Sequence, residues 1–160
     1  MIPGGLWTYG LLAALAIALV VAAFTDIRWR RIGNRLNAAV ALGAPFFWWS
    51  TALPLWPGAA FQLAFAGIML LLLAALFAIG GMGGGDVKLL TALALWLPWE
   101  PFLKLLVMMA LLGGVLTAVL ACWTRLAGNK AKLEIPYGVA IASAGLWVIA
   151  SSYGPAGSWR

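Results

Sequence analysis

The stretch AAFQLAFAGIMLLLLAALFAI, residues 59–79, is 21 residues long and carries no charge. As a helix it would extend about 30 Å, the thickness of a bilayer's hydrocarbon core. It gives way to GGMGGGDVKLL (80–90), where five glycines in six positions precede Asp86 and Lys88. The rest of the chain is built alike. Of 160 residues 65% are hydrophobic and 9% charged, and the mean hydropathy is +1.04. A soluble domain of this size could not bury so much apolar surface. The composition therefore predicts an all-α, polytopic membrane helix bundle, read as one domain over 1–160.

Charge-free blocks cover 1–25, 36–85, 105–124 and 135–159. A spanning helix needs about 20 apolar residues, so the long second block holds two, separated at Pro54 and Pro57. Helices are predicted over Leu6–Phe24, Leu36–Leu53, Ala59–Ile79, Phe102–Trp123 and Ile135–Tyr153. A shorter one covers Asp86–Leu97. The first is not read as a cleaved signal peptide, because Arg28, Arg30, Arg31 and Arg35 follow its apolar run instead of preceding it. Placing that cluster in the cytoplasm puts Lys88, Arg125, Lys130 and Lys132 there too, with Lys104 and Arg160 outside. Six spans with both termini on the non-cytoplasmic side follow from this.

The net charge of +6 thus describes one membrane face and a lipid bilayer partner; it gives no sign of nucleic-acid binding. Tryptophans gather near predicted helix ends, as interfacial anchors do. There is no histidine, and Cys122 is the lone cysteine. Ser-His and Cys-His catalysis are excluded, an intramolecular disulfide is impossible, and no metal or cofactor is called for. Acid–base chemistry falls to the four carboxylates Asp26, Asp86, Glu100 and Glu134.

Glu100, in PWEPF, reads as a solvated loop residue, and Glu134 as an interfacial one near Lys130 and Lys132. Asp26 follows the first helix and Asp86 opens the short one, at similar depth on the same face. Two carboxylates that meet there would share a proton, one activating water while the other polarises a carbonyl. The glycines cannot form a stable helix interior, but they let another backbone approach, and Asp86 suits a helix N-cap. Rival readings are a small transporter or proton-relay subunit using the same two acids, and a purely structural subunit.

These residues resemble a known family. DIRWRRIGN (26–34) is similar to the first active-site motif of the type IV prepilin peptidases, an aspartate followed by Ile-Pro-Asn. GGGDVKLL (83–90) resembles their Gly-x-Gly-Asp motif with its lysine, and EIPYGVAIA (134–142) the Pro-Tyr-Gly stretch that opens their last helix. The resemblance covers about residues 20–145 and implies an aspartic endopeptidase of the bacterial inner or archaeal plasma membrane. Such enzymes remove the basic leader of prepilin or pseudopilin precursors on the cytoplasmic side, cutting after a glycine.

By this resemblance Asp26 and Asp86 are the catalytic pair and Gly83 and Gly85 the motif glycines. Asn34, Lys88, Glu134, Pro136, Tyr137 and Gly138 are substrate-binding or supporting positions. Lys88 would lower the proton affinity of the nearby aspartate or reach for the headgroups, and Glu134 would meet the leader's positive charge. Gly33 stands where the family has proline. The resemblance is to the short form of Flp/Tad-type pili or preflagellin peptidases, which lacks the domain associated with N-methylation. The arginine cluster reads as a topology determinant and lipid anchor, since a basic leader would be repelled by it.

Overall fold

The computed structural model describes residues 5–126 and 137–153. Among them are six helices and no strand: α1 Gly5–Trp29, α2 Asn34–Ser50, α3 Ala60–Ala78, α4 Gly84–Trp96, α5 Trp99–Leu126 and α6 Tyr137–Tyr153. The all-α expectation holds, and α1, α5 and the Leu55–Ala78 segment are each long and apolar enough to cross a membrane. The outer surface carries many large apolar side chains, with Leu6, Ile17, Leu71, Leu111 and Val115 all exposed. That is the surface a lipid solvent requires.

Helix boundaries move from the expected ones at two informative places. α1 continues to Trp29, so Asp26 lies in its last turn and not beyond it. Its buried residues, Thr8, Leu12, Leu15, Leu19, Ala22 and Asp26, recur every three or four positions. Asp26 therefore ends the stripe that faces the bundle. α5 begins at Trp99, which brings Glu100 out of the expected loop and into the helix's first turn. There it pairs with Lys104 at 2.9 Å, one turn on, both side chains exposed.

The Pro54–Pro57 break is where expected. Trp56 is extended (φ −127°, ψ 130°), and the Ala59 N–H reaches back to the Pro54 carbonyl at 2.9 Å before α3 begins. The glycine run that follows α3 divides its work. Gly80 takes φ +76°, and the N–H groups of Gly80 and Gly81 bond the Phe77 and Leu76 carbonyls at 2.9 and 2.8 Å. This left-handed turn closes the helix and reverses the chain, a conformation glycine adopts without a Cβ penalty.

Thirteen residues of α4 extend about 20 Å, short of a full hydrocarbon core. It is nonetheless the central element, packed on α2, α3 and α6, with eight residues buried. Its far end leaves backbone carbonyls inside the bundle, which must find donors. Gln62 of α3 donates its amide to Ala94 O (2.6 Å) and Leu97 O (2.7 Å), and Trp48 Nε1 donates to Leu95 O at 2.8 Å. In return Trp96 Nε1 donates to Val40 O of α2 at 2.7 Å. Two tryptophans thus serve as internal donors, not interfacial anchors. With α4 fixed at this end, its other end meets the ends of α1, α2 and α6.

Candidate active site

Four chain segments converge there: the last turn of α1, the 30–33 loop into α2, the glycines that open α4, and the start of α6. Asp26 and Asp86 are 7% and 9% exposed. They line one cavity of about 480 Å³ together with Arg30, Arg31, Ile32, Gly33, Asn34 and Gly83–Gly85. The two carboxylates are close enough to interact electrostatically. Sequence spacing placed these acids at one level; the fold brings them to one cavity.

Each aspartate is held by the beginning of a helix. The Gly138 N–H donates to Asp26 Oδ2 at 2.8 Å, and the neighbouring Val139 N–H also serves that carboxylate. An α1 side chain thus takes the place of a cap for α6, where unpaired N–H groups and the helix dipole favour an acceptor. A Cβ on residue 138 would lie 2.8 Å from Asp26 Cγ and Oδ2, so only glycine lets the helix start this close. Asp86 is not the N-cap of α4. Gly83 holds that position (φ −72°, ψ 142°), and Asp86, three residues on, reaches back to the Gly83 N–H. This is one half of a capping box, the third helical residue serving the cap, and Gly83 has no side chain to return the bond. A Cβ at Gly83 would meet Asp86 Oδ2 at 2.9 Å.

The remaining expected residues divide. Gly85 packs its Cα face against Ile32 of the α1–α2 loop. Lys88 does not turn toward the acids; its Nζ donates to Asn34 Oδ1 at 2.8 Å and ties the starts of α4 and α2 together. Tyr137 is the first residue of α6 and is exposed. Glu134 and Pro136 lie outside the described residues. Gly33 has φ −67° and ψ 141°, the backbone that proline would adopt, so the turn keeps its shape without one.

Two features were not anticipated. Arg30 and Arg31 line the cavity beside the acids, while Arg28 and Arg35 are not among its lining residues. Asn37, on the buried stripe of α2, donates its amide to the Gly85 carbonyl at 3.4 Å. Its Oδ1 is buried without a hydrogen-bond partner among the described residues. In the sequence, only its spacing of three from Asn34, in a helix whose other polar residues are Arg35 and Ser50 at its ends, could have marked it.

Comparison with known proteins bears on the same segments. The model of the type IV leader peptidase family matches residues 13–124, a span that holds Asp26, Asn34, Gly83, Gly85, Asp86 and Lys88. Over 69 residues the chain is 38% identical to a prepilin leader peptidase/N-methyltransferase of Xanthomonas campestris pv. campestris. That match takes in 43% of this chain and 23% of the relative's length. No solved structure matches. The family match covers well over half of the chain and takes in both aspartates, and the chain belongs to the type IV leader peptidase family.

Proposed function

We propose that this chain is an aspartic endopeptidase that removes the leader from type IV prepilin or prepilin-like precursors. It acts as one membrane domain over residues 1–160, at the cytoplasmic face of the bacterial inner or archaeal plasma membrane. The observation that carries the reading is the single cavity lined by two buried aspartates from different helices. Neighbouring carboxylates hold one proton between them at lower free energy than two charges. The ionised one takes a proton from the water that attacks the scissile carbonyl, while the protonated one donates to the carbonyl oxygen; on collapse the first passes its proton to the leaving amine and the second recovers one from the diol.

The rest of the cavity suits a peptide. Gly83, Gly84 and Gly85 line it with backbone alone, which leaves width for an extended chain beside Asp86. The Lys88–Asn34 bond steadies the two walls, and Gly138 fixes Asp26. Arg28, Arg30, Arg31, Arg35 and Lys88 all lie toward the cavity's end of the bundle, which by the positive-inside rule favours the cytoplasm. Both acids lie at that end, which favours hydrolysis over a relay crossing the bilayer. Methyl transfer is not assigned to this chain.

Co-expression with a prepilin precursor tests the reading. The chain should shorten the precursor to a product whose new N-terminus follows a glycine. Asp26→Asn and Asp86→Asn should accumulate full-length precursor while inserting normally. Trimming by both variants would end the proposal, and altered ion flux in proteoliposomes with unchanged precursor length would favour transport.

A further inference from the structure

We infer that Arg30 and Arg31 form a subsite for the carboxylate that hydrolysis creates on the released leader. The inference rests on the peptidase reading and adds to it a group that receives the product. Cleavage adds water across the scissile amide. The water oxygen bonds the carbonyl carbon, the C–N bond breaks, the amine takes a proton, and the leader's new carboxyl loses its own to solvent near neutral pH. A new negative charge then stands in a cavity that already holds Asp26 and Asp86, where like charges repel.

The cavity carries its own answer to that charge. Of the four arginines between residues 28 and 35, only Arg30 and Arg31 line it. Arg30 is held there by the backbone. It takes φ +53°, the left-handed conformation, with its N–H on the Asp26 carbonyl at 2.9 Å. A non-glycine residue is strained in that region, and glycine would close the helix more readily. The charge of Arg30 also acts on the Asp26 carboxylate. Guanidinium groups suit a carboxylate because their paired N–H donors match its two oxygens. Repulsion of a basic leader concerns its side chains; the terminal carboxylate is a separate group that exists only after the cut.

The test uses the full chain in proteoliposomes and the leader it releases, synthesised with a free C-terminal carboxylate and with a C-terminal amide. The acid form should inhibit precursor cleavage about ten-fold more strongly than the amide, the scale of a charge-assisted bidentate contact. In Arg30→Gly/Arg31→Gln the ratio should fall close to one. Arg30 becomes glycine because that residue keeps the left-handed turn. Arg30→Lys/Arg31→Lys should restore part of the ratio, and Arg28→Gln/Arg35→Gln should leave it unchanged.

Equal inhibition by acid and amide with the unaltered chain would overturn the inference even if a variant failed to insert. So would a ratio that survives in the Gly/Gln variant, or one that collapses equally in Arg28→Gln/Arg35→Gln. Acidic side chains of the precursor are the other source of a carboxylate. If changing them to amides removes the arginine dependence of cleavage while the acid-to-amide ratio is one, the subsite reads the side chain and the inference is lost. Failure of the unaltered chain to cleave any precursor would instead strike the peptidase reading itself.

Discussion

Gly138→Ala is the most revealing single change outside the two aspartates. The added Cβ would sit 2.8 Å from Asp26 Cγ and Oδ2 and 2.9 Å from Asp26 Cβ. Carbon contacts prefer about 3.5–4.0 Å, so roughly 1 Å of room must come from moving Asp26 or the start of α6. Either movement disturbs the 2.8 Å bond that fixes the carboxylate. A misplacement of about 1 Å in a catalytic group lowers rate by on the order of 100-fold, equivalent to about 2.7 kcal/mol of barrier. Stability should change less. Overpacking costs about 1–3 kcal/mol, offset by up to about 1 kcal/mol of helix propensity gained at α6. The assay is precursor cleavage by the purified chain in proteoliposomes, with thermal unfolding measured on the same samples. Gly114→Ala is the control, because its Cβ would point into open space on α5. Cleavage by Gly138→Ala within about three-fold of the unaltered chain, against the expected 100-fold loss, would refute the claim that this contact positions Asp26.

Three further expectations concern the frame around the site. Gly33→Pro should raise stability by at least about 0.4–1 kcal/mol in thermal unfolding, since φ is already −67° and the added Cβ meets nothing within 4 Å. A lower unfolding midpoint would show that this turn is not in a proline-ready state. Gln62→Leu should destabilise by roughly 2–4 kcal/mol, because the Ala94 and Leu97 carbonyls both lose a buried donor. An unchanged midpoint would mean those carbonyls find other partners. Asn37→Leu should leave stability equal or about 1 kcal/mol higher by removing an unpaired buried acceptor, while slowing cleavage several-fold as the Gly85 turn loses its lateral tie. Loss of stability with full cleavage would reverse that assignment.

The number of helices and their order were legible because charge and proline mark their ends in a chain that is otherwise hydrocarbon. The convergence of Asp26 and Asp86 was legible for the same reason, since few polar residues compete for the role. What the sequence hid is which face of each helix looks inward. α1 is apolar all round, so nothing in its composition separates the buried stripe ending at Asp26 from the lipid-facing side. Asn37 and Gln62 escaped notice for that reason, their burial being set by packing partners on other helices. Arg30 and Arg31 read as topology signals, because a basic cluster after a span explains itself without a site. Their place on the cavity wall depends on α1 running on to Trp29 and ending in a left-handed turn. Asp86 looked like a helix cap and is instead the residue that reaches back to one.

The central claim is that Asp26 and Asp86 act as one catalytic unit. Single-turnover cleavage of a prepilin precursor by the purified chain, by Asp26→Asn, by Asp86→Asn and by the double variant tests it most directly. Residues that act as a unit are not additive, so each single variant should fall to background and the double variant should be no slower than either. Cleavage by either single variant within about ten-fold of the unaltered chain, or losses that multiply in the double variant, would contradict the account.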